Sequence, residues 1–279
     1  MMVLQPTSND GQLLMNAWLI ADGAESASLE QFQPLDLEEA QKGATCNLAE
    51  VPCIVDQFLK KSRQHLRGKR CHPITLEVFL PLEYLCSEVE QWEISVRRKR
   101  LLPMGTQHPV IVRSYERLDF EYLDYCWTEW CDNWEQLKAH LSAPPSHELF
   151  EKLEAVDDCD WEEVLYDYQE NAEKIGFIIP CLPSEEKQEA LFDAMIEASV
   201  PIALWIRRAI PEFDHITEFT ELLKTGPLKD LPECIRKLRK RAHVQKKAID
   251  TDYAHHLSIL WEDPHRLPPD VMIQLQSPG

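Results

Sequence analysis

The sequence predicts a single α/β layered domain with a mostly parallel central sheet flanked by helices on both faces. Three observations lead to this class. Short apolar runs recur along the chain, segments with helical periodicity separate them, and prolines or polar turns bound them. Short continuous apolar runs are typical of strands buried on both faces. Strands that alternate with helices are typical of a parallel sheet.

Six apolar runs are the predicted strands: 13–20, 74–80, 109–114, 176–180, 200–206 and 257–261. The predicted helices are 48–66, 115–141, 160–174, 185–198, 214–224 and 228–247. Ser184 is the expected N-cap of the helix 185–198, because two glutamates follow it and acidic side chains stabilise a helix N-terminus. We predict that residues 1–12 form a loose tail and that the domain covers residues 13–279.

The helical segment LDYCWTEWCDNWEQLKAHL carries an apolar stripe with steps of four and three residues. The stripe consists of Leu123, Trp127, Trp130, Trp134, Leu137 and Leu141. Packing against the sheet is the favoured interpretation, because apolar stripes normally face the core. The alternative is a partner-binding face rich in tryptophan, a residue type common in interface hot spots.

Composition and charge exclude several kinds of protein. The chain has 279 residues, 44% apolar and 28% charged, which is typical of globular proteins. Its net charge of −19 disfavours nucleic acid and anionic membranes as partners. The opening MMVLQPTSND lacks the features of a signal peptide, and no apolar run reaches the ~18 residues of a membrane helix. Nine scattered cysteines without a CxxC pair indicate reduced thiols, so we expect a cytoplasmic protein.

Motifs for the common catalytic and cofactor chemistries are missing from the sequence. It contains no GxxxxGK, GxG, GxSxG or HExxH. Without a glycine-rich turn the backbone cannot closely surround a phosphate, so we expect no nucleotide cofactor. Cys181 directly follows a predicted strand and His108 precedes another, which leaves a cysteine–histidine hydrolase as an alternative. A buried thiol is the simpler interpretation of Cys181.

Cysteines and histidines do not have the spacing of a structural zinc site. The candidate pairs are Cys126 with Cys131, Cys71 with His72, and His255 with His256. Adjacent histidines on a strand point to opposite faces and would not share one ion. We therefore expect no metal.

Charged residues are segregated along the chain. Segments 60–70, 97–100 and 235–247 are basic, whereas 147–173 holds eleven acidic residues and one lysine. Ile235, Leu238 and Ala242 form an apolar stripe in the last basic segment, so an amphipathic helix with a solvated cationic face is the favoured interpretation. Few aromatic residues accompany the cations, which makes nucleic-acid binding through 235–247 the weaker alternative. Patches of both signs fit the steering of a protein partner.

Residues that follow the strands are the best candidates for a functional site, because ligands of open α/β sheets bind at the carboxyl ends of parallel strands. If the sheet is parallel, Arg113, Arg207 and Asp263 converge on one polar cleft beside Trp205 and Trp261. That arrangement would make the domain a sensor of a small ligand. The alternative is an arginine–carboxylate network that fixes the loops without binding anything.

Five phrases, in this order, resemble the vWA-MoxR associated protein C-terminal domain (VMAP-C). They are LEVFLPLEYLCSEVEQWEI, PVIVRSYERL, VPIALWIRR, GPLKDLPECIRKLRK and LSILWEDPHRLPP. The resemblance extends from about residue 13 to 270. Carried over to this sequence, the family pattern comprises Trp92, Arg113, Ser114, Glu116, Arg117, Trp205, Trp261, Asp263, Pro264, Arg266, Leu267 and Pro268.

The resemblance implies a non-catalytic recognition or regulatory module of a bacterial conflict system that defends against phage. The implied protein partners are a MoxR-type AAA+ ATPase, a von Willebrand A protein, or a trypsin-like or caspase-like protease. Such a protease, adaptor or ATPase segment does not precede the resemblance here, which leaves open a separate subunit or part of a longer protein. The residues expected to bind a partner or ligand are Arg113, Glu116, Arg117, Trp205, Arg207, Trp261, Asp263 and Arg266.

Overall fold

The strands of the domain are short, and those at the centre of the sheet are buried along most of their length because both faces are covered. The computed structural model describes residues 1–9, 11–20, 28–37, 43–68, 74–96, 100–153, 157, 159–171, 173–208, 210 and 214–276. The strands are β1 (Met2–Pro6), β2 (Leu13–Ile20), β3 (Phe32–Pro34), β4 (Ala44–Cys46), β5 (Leu76–Leu80), β6 (Glu93–Ser95), β7 (Leu101–Pro103), β8 (Val110–Ser114), β9 (Phe150–Lys152), β10 (Gly176–Ile179), β11 (Ile202–Ile206) and β12 (Leu257–Trp261).

The helices lie between these strands and after the last one. They are α1 (Val51–His65), α2 (Met104–Gln107), α3 (Phe120–Lys138), α4 (Trp161–Glu170), α5 (Glu185–Glu197), α6 (His215–Leu223), α7 (Leu231–Val244) and α8 (Pro269–Gln276). Ser184 occupies the N-cap of α5, although its hydroxyl does not bond to the first turn. No described helix is both long and apolar enough to cross a membrane.

Among the described residues, the central sheet has ten strands: nine lie in the order β3-β2-β1-β5-β8-β12-β11-β10-β9, and β4 also pairs with β2. The neighbours β1, β5, β8 and β12 are parallel to one another, and β9, β10 and β11 form a second parallel group. These groups meet at β11 and β12, which are antiparallel. The sheet is therefore mixed but mostly parallel, and the carboxyl ends of the two groups lie at opposite edges.

Helices cover both faces of this sheet, so the predicted α/β class is confirmed. Alternate strand residues enter different core clusters, as the pleat of a strand requires. Side chains of α1, α4 and α5 pack on one face, and those of α3, α6, α7 and α8 pack on the other.

All six predicted strands and all six predicted helices are present, with their ends shifted by a few residues. The prediction of a loose tail over 1–12 is wrong for the first six residues. They include β1, which pairs with β2 and β5 and has Leu4 fully buried. This strand was not predicted because its apolar run, MMVL, has only four residues before Gln5 and Pro6.

The tryptophan stripe of α3 packs into the core, as the favoured interpretation predicted. Trp130 and Leu137 are completely buried, and Trp134 nearly so. Trp127 is half-buried and packs edge-on against Trp130, with ring centroids 6.0 Å apart. The face of α3 that carries these tryptophans is consequently occupied by the protein's own sheet.

Helix α7 is amphipathic, as predicted, with Ile235 and Ala242 buried. Its cationic side chains are not all solvated, because Arg239 is also buried. Parts of the other charged segments, including 69–70, 97–99, 154–156, 158 and 172, lie outside the described residues, as do Cys71 and His72.

Candidate functional site

Strands β5, β8 and β12 are adjacent and parallel, so the residues that follow them meet at one edge of the sheet, here called the C-edge. Leu260 is in register with Val112, which aligns Glu262 with Ser114 two residues further on. The backbone N–H of Ser114 accordingly donates to Oε1 of Glu262 at 2.6 Å. The strand register thus positions a carboxylate beside the end of β8.

Arg113 lies at the centre of the C-edge. Its Nε is 3.3 Å from Oε2 of Glu262, and its Nη1 is 3.5 Å from Oε2 of Glu77. The same guanidinium donates to the carbonyl of Asp263 at 2.6 Å and to the carbonyl of Arg266. One side chain from β8 therefore holds the loop that follows β12 through two backbone oxygens and one carboxylate.

Arg117 joins a third element to this edge. Its Nη2 donates to the carbonyls of Val200 at 2.9 Å and Met195 at 3.2 Å, at the C-terminal end of α5. A cation is favourable there because the helix dipole is negative at that end. Its Nε is 3.8 Å from Oε1 of Glu262, and its guanidinium lies 5.1 Å from the ring centroid of Trp130.

Arg266 completes the set of charges by pairing with Oε1 of Glu77, to which its Nε donates at 2.9 Å. We call the ion pairs among Glu77, Arg113, Arg117, Glu262 and Arg266 the C-edge network. The side chains of Arg117 and Glu262 are 0% exposed and that of Arg113 is 1% exposed. A network with this burial is part of the interior and does not line an open cleft.

Two carboxyl groups at the C-edge have opposite pKa shifts. Burial alone would raise the pKa of Glu77, but the charges of Arg266 and Arg113 outweigh it and hold that pKa below its usual value. Burial raises the pKa of Asp263, and Arg113 offsets only part of this effect. The Asp263 carboxylate accepts the N–H of His265 at 2.9 Å, which fixes the turn.

Glu116 connects the C-edge to the loop after β5. Its Oε1 accepts the N–H of Leu82 at 2.7 Å, and its Oε2 accepts the hydroxyl of Ser114 at 2.8 Å. The first bond ties the end of β8 to the loop after β5, and the second fixes the turn that follows β8. Glu116 therefore helps to hold the loops at the C-edge, as the C-edge network does.

The predicted convergence of Arg113, Arg207 and Asp263 is wrong for Arg207. Strand β11 is antiparallel to β12, so Arg207 follows β11 at the opposite edge, here called the N-edge. Its backbone N–H donates to the carbonyl of His256, just before β12 begins. Trp205 is not beside a cleft either, because it is fully buried against Phe192 with ring centroids 5.3 Å apart.

At the N-edge, Arg207 pairs with the buried Glu90 through both of its terminal nitrogens. Arg239 is nearby and donates from Nη2 to the carbonyl of Leu257 at 2.7 Å. Its Nε and Nη1 are buried without a hydrogen-bond partner among the described residues. Burial lowers the pKa of Arg239 to about 10, which Glu90 partly offsets. We call Glu90, Arg207 and Arg239 the N-edge cluster.

Trp261 is half-buried and stacks edge-on with Trp134, with ring centroids 6.1 Å apart. Arg266 is the most exposed arginine of the C-edge network, with 28% of its side chain accessible. That any predicted site residue binds a partner or ligand stays a prediction. Direct contact by Arg113 or Arg117 would require the loops to open first.

Sequence reasoning missed Glu77 and Glu262, the two carboxylates of the network. Glu77 interrupts the apolar run LEVFL, and a glutamate in a strand buried on both faces needs a cationic partner. Glu262 directly precedes Asp263, and Asp263 is the carboxylate that was predicted to line the cleft. Neighbouring side chains point in different directions, and strand register decided between them.

Cys181 and His108 do not form a pair in this fold. Their strands, β10 and β8, are separated by β11 and β12, which at ~4.8 Å per strand places the strands roughly 14 Å apart. Burial lowers the pKa of His108 to about 4, and its Nδ1 is 3.0 Å from the carbonyl oxygen of Ile74. Within the described ranges, no group of three His, Cys, Asp or Glu residues is positioned to hold a metal ion.

A family model for the vWA-MoxR associated protein C-terminal domain, VMAP-C, matches residues 11–264. The chain belongs to the VMAP-C family. No curated protein and no solved structure matches it significantly. The description of the VMAP-C family associates it with vWA and MoxR proteins, which indicates a component of a MoxR/vWA system.

Proposed function

We propose that this chain is a non-catalytic recognition and regulatory module of a bacterial conflict system that defends against phage. Its partners would be a von Willebrand A protein, a MoxR-type AAA+ ATPase, or a trypsin-like or caspase-like protease. The family match over residues 11–264 carries this proposal, because the family is described by its association with vWA and MoxR proteins.

The burial of the C-edge network argues against a catalytic role for its residues and supports a role in holding the surrounding loops in place. A catalytic group must reach its substrate, whereas Arg113, Arg117 and Glu262 are enclosed by protein. Their contacts hold the ends of β8 and β12 and the end of α5 in one arrangement. Pre-organised loops lose little conformational entropy when a partner binds, which suits a recognition domain.

The separation of β8 and β10 also weighs against the cysteine-hydrolase alternative, because a nucleophile needs its base within hydrogen-bond reach. Iodoacetamide labelling at neutral pH tests this alternative directly. We expect Cys181 to react no faster than Cys53, which is exposed and free. Labelling of Cys181 that is much faster than that of Cys53 would favour an activated thiol.

The proposed function is tested by affinity purification of the tagged full-length protein from its native host, with and without phage challenge. Mass spectrometry would identify the proteins that co-purify, and an untagged strain provides the background. We expect a vWA protein, a MoxR-type ATPase or a protease among the specific proteins. The absence of all three under both conditions would count against the proposal.

A further inference from the structure

A groove lies at the β3 end of the sheet, between β2, β3 and helix α8. The cavity has a volume of about 330 Å³. Its lining includes the apolar side chains of Trp18, Phe32 and Ile273 and the carboxylates of Asp36 and Asp270. We call it the β3–α8 groove.

The C-edge network holds one wall of this groove. The loop that Arg113 binds at Asp263 and Arg266 leads directly into α8, with Leu267 and Val271 buried in the core. The same core cluster contains Phe32, which lines the groove. The network therefore fixes α8 relative to the edge of the sheet, although it is not itself accessible.

Apolar surface is exposed at this wall. Ile273 is 49% exposed and lines the groove, and Leu275, two residues further along α8, is 43% exposed. Large apolar side chains that project from a short helix beside a concave apolar surface are typical of a docking site.

The charge of the groove favours a cationic occupant. Among the described residues that line it, the two ionisable ones, Asp36 and Asp270, are acidic. The whole chain carries a net charge of −19, which steers positively charged partners toward it.

The backbone of β3 argues against a partner that adds a further strand. The N–H of Phe32 already donates to the carbonyl of Leu29, and Pro34 has no N–H. An edge strand with proline and without free donors is a poor template for strand addition. Side chains of the occupant must therefore supply most of the contacts.

We propose that the β3–α8 groove binds a segment of a partner protein that places an apolar side chain beside an arginine or lysine. The apolar side chain fills the space next to Phe32 and Ile273, and the cation lies against Asp36 and Asp270. This inference rests on the proposed function in assigning the groove to a protein partner.

The test is selection of a random dodecapeptide phage-display library on the immobilised full-length protein. Selected peptides are then synthesised, and their affinities are measured by fluorescence anisotropy. Ile273→Glu removes the apolar wall, and Asp36→Asn removes a rim charge. Ile249→Glu is the matched control for Ile273→Glu, because Ile249 is 45% exposed and does not line the groove.

We expect selected peptides to share an apolar residue next to arginine or lysine. Their affinity should fall at least about tenfold for Ile273→Glu and about threefold for Asp36→Asn, and it should be unchanged for Ile249→Glu. Circular dichroism and thermal melting establish that each variant is folded. Selection of no peptides, of peptides without a cation, or of peptides that bind Ile273→Glu equally well would overturn the inference. Dimerisation of the wild type that Ile273→Glu abolishes would also overturn it, since a second copy would then occupy the groove.

Repeating the native purification with Ile273→Glu separates this inference from the proposed function. If the vWA, MoxR or protease partners co-purify with both wild type and variant, the groove assignment fails and the proposed function stands. If none co-purifies with the wild type, the proposed function fails, while the peptide selection still decides whether the groove binds a cationic apolar segment. Loss of the partners with Ile273→Glu, but not with Ile249→Glu, supports both the groove assignment and the proposed function.

Discussion

Two buried arginines, Arg113 and Arg239, lie at opposite ends of β12, and they differ in how far hydrogen bonds and opposite charges compensate their burial. In the C-edge network, Arg113 contacts two carboxylates and two backbone carbonyls. In the N-edge cluster, Arg239 makes one bond to a carbonyl, and two of its nitrogens are buried without a hydrogen-bond partner among the described residues.

This difference indicates different roles for the two arginines. Buried charges stabilise a fold only when hydrogen bonds and opposite charges compensate the loss of water. Arg113 meets this condition, so it should hold the loops at the C-edge. Arg117 meets it only in part, because its Nε and Nη1 are buried without a hydrogen-bond partner among the described residues. Arg239 does not meet it, so its charge should contribute little stability or reduce it.

The largest expected effect is that of Glu262→Gln. This change removes the negative charge shared by Arg113 and Arg117, and we expect the free energy of unfolding to fall by about 3–5 kcal/mol. Urea denaturation at 25 °C measures it. Glu135→Gln is the control, because Glu135 is 56% exposed and should change stability by less than about 0.5 kcal/mol. Equally small changes in the two variants would show that the C-edge network does not stabilise the fold.

A somewhat smaller loss is expected for Trp261→Ala combined with Arg266→Ala. The first change removes packing on Trp134 and the second leaves Glu77 with less compensation, so we expect a loss of about 2–4 kcal/mol. Thermal melting compares the variant with an exposed control, Tyr125→Ala. If the double variant keeps wild-type stability but loses its partners, the loop is a recognition surface in its own right.

Arg239→Met tests whether the charge of Arg239 stabilises the fold less than the charge of Arg113 does. Methionine has a similar length and leaves no buried donors, so we expect stability to change by less than about 1 kcal/mol in either direction. Arg113→Met, the matched change at the C-edge, should cost about as much as Glu262→Gln. The contrast between the edges would be contradicted if denaturation gave equal losses for the two methionine variants.

Asp263→Asn should have the smallest effect, an increase in stability at pH 7. Burial raises the folded-state pKa of Asp263, so the ionised form costs stability above that pKa and the cost is absent below the unfolded value of about 4. Asparagine can still accept the N–H of His265. Denaturation between pH 3 and 7 should show the advantage of the variant disappearing in acid. A variant less stable than wild type at pH 7 would mean that Arg113 requires the charge of Asp263.

Six strands and six helices of the domain were predictable because burial leaves a local pattern in the sequence. The run LSILW is apolar throughout, and β12 occupies those residues. The stripe in α3 repeats at helical spacing and is buried where predicted. Arg113 and Asp263 were also placed correctly at one edge, because each follows or ends a strand of the same parallel group.

The sequence by itself determined where six of the strands and six of the helices form, the α/β class, and the position of Arg113 and Asp263 at the strand ends. Only the tertiary structure decided the direction of β11, the insertion of β1 into the sheet, and the choice of Glu262 over Asp263 as the partner of Arg113. The physical reason is that a strand buried on both faces has the same apolar pattern whichever way it runs. Its direction and neighbours depend on the path of the connecting chain and on packing between residues far apart in sequence, as for Arg113 and Glu262, which meet only through the register of β8 and β12.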